Sequence, residues 1–206
     1  MNAHEHELNA YSFKNNAVPV PLGYRLFELR GTFGKRVVGV IGARGAVQNI
    51  DAGLKIVAAA DKKTRTTNQI FDADHISGKE HLVHAARLAL IARATHTNFA
   101  ESFNIELVCW AAGARQINQA FERVGLRAGC GRVALLTVGN TRDGVKRAQT
   151  EILRELGLNR DDGVLEVTAK KVPALMKTFG IRKTELGIAP IQKLVLEKVA
   201  LLSIQR

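Results

Sequence analysis

The hydrophobic positions of this chain alternate between two spacings, and the changes of spacing mark its elements. Residues 24–31 (YRLFELRG) and 36–43 (RVVGVIGA) concentrate β-branched and aromatic side chains around the turn-like TFGK, which predicts a hairpin or two neighbouring strands. Between Val47 and Lys62, apolar residues at Val47, Ile50, Leu54, Val57 and Ala58 follow a helical period. NQIFDAD, residues 68–74, returns to a strand. HISGKEHLVHAARLALIARA follows, where Ser77 and Glu80 have the form of a capping box. Behind that cap, Leu82, Val83, Ala85, Ala86, Leu88, Ala89, Leu90 and Ile91 make the helix apolar nearly all round, so it is expected to be central and buried.

Residues 104–125 read as two short helices joined at residues 112–114 (AGA), and RVALLTVG at 132–139 reads as a buried strand. Residues 141–156 form a charged amphipathic pattern closed by Gly157, a residue suited to the position just past a helix end. Short helices fill the remainder, and Pro190 opens the last one. The expected fold is a single α/β (α+β) domain over residues 23–206, with a small mixed sheet of about four strands flanked by several helices. Residues 1–22 are expected to be a flexible leader.

Composition adds a partner class. Thirty Lys and Arg against 19 acidic residues give a net charge of +11, with a pI near 10.1. Such an excess favours a polyanion, because each phosphate contact releases condensed counterions. The alternative is a basic surface that serves solubility alone. Arg115, Arg123, Arg127, Arg132, Arg142, Lys146 and Arg147 crowd into residues 104–150, against Glu106, Glu122 and Asp143. No apolar run reaches the roughly 18 residues of a membrane span, and residues 1–10 lack the basic and apolar regions of a secretory signal. Cys109 and Cys130 have no neighbouring cysteine at zinc spacing, so reduced thiols and a cytoplasmic location are expected.

Candidate chemistry is sparse. His81 and His84 share a helix face with His75 just before it, but no HExxH or cysteine cluster completes a metal site. GARGAVQ, residues 42–48, places backbone amides and an arginine between a strand and a helix, where a phosphate is favoured. It matches neither GxGxxG nor a Walker loop. No GxSxG elbow is present, and Cys109 sits in the apolar LVCWAAG run. No cofactor, metal or catalytic residue is therefore expected; the alternative is a metal- or phosphate-dependent enzyme centred on the three histidines or on residues 42–45. In GARQINQAF, Arg115 and Gln116 offer a phosphate fork and a base-edge reader. Their local alternative is pairing of Arg115 with Glu101 or Glu106 and of Gln116 with a backbone carbonyl. The final helix carries a wide apolar stripe (Ile191, Leu194, Val195, Val199, Leu202) that suits the core and leaves a side for a partner.

Taken in order, FDADHISGKEHLVHAA, NIELVCWAAGARQINQAFERVGL and LVLEKVALL resemble the small KEOPS subunit that binds the complex's kinase, called in eukaryotes the PRPK-binding protein (TPRKB). The resemblance runs from about Val37 to Leu202; the leader and the KKTRTT segment fall outside what matches. It implies a noncatalytic accessory subunit of one mixed α/β domain. Its partners would be the RIO-like kinase, which acts as an ATPase, tRNA with its single-stranded 3′ CCA end, and indirectly the threonylcarbamoyl transferase. Under that resemblance, Lys79, His75, Arg115, Gln116 and Arg142 are the candidate tRNA contacts. Leu194, Lys198 and Leu201 are the candidate kinase contacts. The alternative is a protein adaptor that binds the kinase without touching tRNA.

Overall fold

The structure, a computed structural model, describes residues 25–204; the leader expected over residues 1–22 lies outside the described residues. A hairpin opens the fold, with β1 (Leu26–Gly31) antiparallel to β2 (Gly34–Arg44). After α1 (Ile50–Thr64) comes β3 (Thr66–Asp72), which pairs with β4 (Arg132–Gly139), and β4 in turn pairs with β2. The sheet order is β1-β2-β4-β3, and a two-residue strand β5 (Asn159–Arg160) pairs with the end of β2 that β1 leaves uncovered. The α/β class stands, but every pairing is antiparallel where a mixed sheet was expected. Helical crossovers commonly join parallel neighbours. Here α1 carries the chain from β2 to β3, which runs parallel to β2 but with antiparallel β4 inserted between them, and the helices after β3 lead back to β4 itself; strand-helix alternation along a sequence does not reveal that insertion.

Both faces of the sheet are covered, and side-chain alternation sorts the core into two layers. Ile41, Ala43, Ile70, Val133 and Leu135 point to one side, where α1 and α5 (Arg142–Glu155) bury Val57, Ala60, Ile152 and Leu153. Val38, Val40, Phe71, Ala134, Leu136 and Val138 point to the other. That larger layer contains α2 (Gly78–Ala94), α3 (Phe103–Ala112), α4 (Ile117–Val124), α6 (Val172–Phe179), α7 (Lys183–Leu186) and α8 (Ile191–Ala200). α2 is central, burying Leu82, Val83, Ala85, Ala86, Ala89 and Leu90, but it is not covered all round as its pattern predicts: Leu88 is half-buried and Ile91 exposed.

Two local expectations need correction. α1 buries Gly53, Val57 and Ala60, while Leu54 and Ala58 are exposed. The true face includes a glycine, which a hydrophobic pattern skips. The capping box is also absent: Ser77 makes no side-chain cap bond, and its backbone N–H donates to His81 Nδ1 at 3.1 Å. Ser77 has ψ 56 rather than the extended ψ of an N-cap, and Gly78 follows at φ +87. Glu80 points outward instead, 4.0 Å from Arg25.

Among the described residues, Ser77 Oγ, His84 Nε2 and both ends of the Gln149 amide are buried without a partner. Gln149 on α5 is fully buried, and neither its amide oxygen nor its nitrogen is hydrogen-bonded among the described residues. It lies over Gly39, where an added Cβ would come within 2.5 Å of Gln149 Nε2. An unmet buried polar group costs about 1–3 kcal/mol. Gln149→Met, close in shape and free of that cost, is expected to raise the melting temperature by several degrees (about 2–4 °C per kcal/mol at this size). Differential scanning calorimetry reads the shift; an unchanged or lower melting temperature would show the amide to be satisfied.

Candidate functional site

Three strand ends converge because the pairing is antiparallel. Arg44 closes β2 opposite Arg132, the first residue of β4, and Asp72 closes β3 opposite Val133. Beyond Asp72 the chain makes a 3₁₀ turn, Ala73–His75, in which the Asp72 carboxylate accepts the Asp74 N–H at 3.0 Å. The glycine-rich segment between α4 and β4 (residues 125–131, GLRAGCG) passes over these ends. Together they enclose a cleft of 560 Å³ lined by Arg44, Asp72, Asp74, Arg127, Arg132 and residues 128–131.

Its walls alternate in charge. Arg132 reaches Asp74 at 2.8 Å, Arg127 reaches Asp72 at 3.5 Å, and Arg44 pairs with Asp161. His75 flanks this row. Its Nε2 faces the Arg127 guanidinium at 3.4 Å, so it must accept there, and its Nδ1–H donates to Thr178 Oγ1 at 2.6 Å. Thr178 in turn donates to the Ala174 carbonyl. Burial pushes the His75 pKa below the usual imidazole range, against the opposing pull of Asp72, which suits this neutral form. Behind the turn, Lys171 donates to the Val164 carbonyl; burial lowers its pKa to about 8, while Asp74 and Asp72 oppose the shift.

Neither thiol is poised as a nucleophile. Burial raises the Cys130 thiol, which donates to the Arg132 carbonyl at 3.1 Å, so the reactive thiolate is disfavoured. Cys109 is buried in the core, and burial pushes its thiol up to about 11. The three histidines do not converge as ligands: both ring nitrogens of His81 are engaged, one by the Ser77 N–H and the other by the Ala111 carbonyl at 2.9 Å. Among the described residues, no group of three or more His, Cys, Asp or Glu side chains is placed to hold a metal ion. The GARG turn has local work, since the Gly45 N–H donates to Gly131 and Arg44 is paired.

The five candidate tRNA contacts do not gather in one place. His75 lies at the cleft. Lys79 sits at the same end of the sheet but is spent on Asp162 at 2.7 Å, a carboxylate that Arg160 also reaches at 2.9 Å. Burial works to raise the Asp162 pKa, yet Lys79, the Gly42 N–H and Arg160 outweigh it and hold it low. Arg115 and Gln116 precede α4, whose eight residues (about 12 Å) separate them from the cleft loop. The Arg115 guanidinium lies 4.6 Å from the centre of the Phe99 ring. Glu106, one of its two suggested partners beside Glu101, has its oxygens taken up by the Phe99 and Ala100 amides and the Trp110 indole. Arg142 stands at the far end, just past Gly139, which pairs with Thr66 at the start of β3. In the sequence Arg127 and Arg132 register only as bulk charge, and nothing in its spacing singles out Asp72 and Asp74. The available signal was charged residues at strand ends beside a glycine-rich loop.

The candidate kinase contacts divide similarly. Leu194 is 6% exposed and belongs to the core, so it is not a surface contact. Lys198 pairs with Glu185 at 3.0 Å. Leu201 is 37% exposed, and Ile204 beyond it is 72% exposed. The α3–α4 turn abuts this end of α8: Gly113, at φ +57, is so close that an added Cβ would lie 3.3 Å from the Lys198 carbonyl.

Comparison with known proteins places these features in context. Residues 46–203 match the model of a family described as kinase binding protein CGI-121. Regulatory protein Cgi121 of Methanocaldococcus jannaschii is 29% identical over 168 residues, covering 82% of this chain and 97% of that protein.

Proposed function

Since this chain belongs to the kinase binding protein CGI-121 family, we propose that it is a noncatalytic accessory subunit that docks a small kinase and holds the unpaired 3′ CCA end of a tRNA. In this reading it serves the KEOPS complex in the cytoplasm. The RIO-like kinase is its direct partner, the threonylcarbamoyl transferase its indirect one, and threonylcarbamoyladenosine in tRNA the product it supports.

The observation that carries the RNA half is the interleaving of Arg44, Arg127 and Arg132 with Asp72 and Asp74 around one cleft. Guanidinium groups meet phosphates, and a carboxylate accepts the N4 amino group of cytosine. Tail phosphates would exchange with the existing ion pairs while the bases satisfy the released carboxylates. No aromatic side chain lines the cleft, so grip here comes from charge and base-edge hydrogen bonds rather than ring stacking. For the kinase, Leu201 and Ile204 form the exposed apolar end of α8 in place of buried Leu194. A second reading, an adaptor that binds only the kinase, draws support from the same ion pairs: each cleft arginine already has a carboxylate neighbour.

Binding of full-length protein to intact tRNA and to tRNA trimmed of CCA separates the two. Intact tRNA is expected to bind more tightly. Arg127→Gln with Arg132→Gln should abolish that difference and lower the salt dependence by about two phosphate contacts. Leu201→Glu with Ile204→Glu should release the kinase and leave RNA affinity unchanged. Equal affinity for intact and trimmed tRNA would leave the adaptor reading standing.

A further inference from the structure

A second set of cations lies at the opposite end of the sheet. Lys62, Lys63 and Arg65 end α1, while Arg142, Lys146 and Arg147 occupy the first two turns of α5. The two groups meet: an added Cβ on Gly144 would lie 3.3 Å from the Thr64 carbonyl. All are exposed except Lys146, which is half-buried. Lys63 pairs with Glu151 at 2.8 Å. Among the described residues the other five form no ion pair; the acids nearby are Asp143, exposed in the first turn of α5, and Asp61, half-buried in the last turn of α1 and taken up by the Asn68 and Asn104 amides.

Local physics explains two of these cations and opposes others. Lys62 and Lys63 stand in the last turn of α1, where the helix dipole favours positive charge. Arg142 stands in the first turn of α5, where the same dipole disfavours it. Arg142 and Lys146 are four apart on one helix, a repulsive like-charge spacing. Arg65 adopts φ 53, ψ 47, the left-handed conformation that glycine enters at least cost. Three local penalties at one spot point to a bound counter-charge that offsets them.

The geometry also limits the ligand. The patch carries no aromatic side chain on which an unpaired base could stack, and no large apolar side chain to enter a bilayer; on α1 the exposed one, Leu54, lies two turns back. β4, whose eight residues separate cleft from patch, spans about 25 Å. We propose that this patch holds the phosphate backbone of a double-helical RNA stem whose unpaired end occupies the cleft. The tail half of that picture rests on the function proposed above; the stem half stands on the patch alone.

The key variant is Arg65→Gly, which removes a cation while relieving the left-handed backbone, so any loss of binding is not loss of fold. It is paired with Arg142→Gln/Lys146→Gln and assayed by fluorescence anisotropy. The probes are a tRNA transcript, a blunt RNA hairpin without a tail, and a short single strand ending in CCA. Arg65→Gly is expected to keep or raise the melting temperature. It should weaken tRNA and hairpin binding about fivefold near physiological salt, reduce the salt slope by about one, and leave the single strand unaffected. Unchanged hairpin and tRNA affinity in both variants would overturn the patch proposal while leaving the cleft reading intact. Patch-dependent binding to anionic phosphatidylserine vesicles without hairpin binding would overturn it in favour of a membrane surface. No binding of any RNA by the unaltered protein would overturn both.

Discussion

Replacing Glu106 by alanine is expected to destabilise the protein by about 3–5 kcal/mol and lower its melting temperature by roughly 10 °C or more. Glu106 is fully buried on α3. Its Oε2 accepts the N–H groups of Phe99 and Ala100 at 2.9 Å each, and its Oε1 accepts the Trp110 indole N–H at 2.8 Å. Alanine would strand three donors and leave a void, and each unmet donor costs about 1–3 kcal/mol. Glu106→Gln should fall between: its amide oxygen still accepts, but its NH₂ group faces at least one donor. The effect should also reach Arg115, because the Phe99 ring beneath its guanidinium packs 5.3 Å from Trp110, and Glu106 ties both residues in place. Urea denaturation measures the cost. An alanine variant within about 1 kcal/mol of the parent would show that this loop draws little from the carboxylate.

Glu106 also illustrates what the sequence could convey. Its position beside a basic run suggested an ion pair with Arg115, whereas its oxygens face neutral donors four to seven residues away in the chain. Elements governed by local period were legible. The strand over residues 132–139 and the paired short helices around Gly113 lie where expected, and Thr141 caps α5 by accepting the Gly144 N–H. Arrangements governed by distant partners were not. Ser77 and Glu80 have capping spacing, yet His81 takes the Ser77 N–H because its ring is pinned on the other side by Ala111.

The candidate site residues are dispersed for a related reason. Arg142 follows β4 and His75 follows β3, so both look like residues at the exit of a strand. In a parallel sheet such exits share an edge; in this antiparallel one they lie at opposite ends. Arg44, Asp72 and Arg132, which do share an edge, are an exit, an exit and an entrance. Only the pairing brings them together. Leu194 shows the same blindness on a helix, since periodicity marks an apolar face without saying whether the core or a partner covers it.

The same His81 makes the fold sensitive to acid. The ring is fully buried, and burial lowers its pKa from 6.5 to about 4; the Ala111 carbonyl opposes the shift, while His84 and Lys171 add to it. The unfolded chain takes up a proton near pH 6.5, whereas the folded protein resists until near pH 4. The unfolded state therefore binds more protons in that window, and stability falls as pH drops through it. At about 1.4 kcal/mol per pKa unit, the loss approaches 3 kcal/mol by pH 4. His75 and His84, also lowered chiefly by burial, act in the same direction. His81→Leu isolates the one ring. The variant should be less stable at pH 7.5, because the Ser77 N–H and Ala111 carbonyl lose their partner, but its stability should decline less steeply below pH 6.5. The two curves of unfolding free energy, measured by urea titration at each pH, are then expected to converge towards pH 4. Curves that stay parallel from pH 7.5 to 4.5 would mean that His81 gains its proton without unfolding the start of α2, and that burial does not hold it neutral.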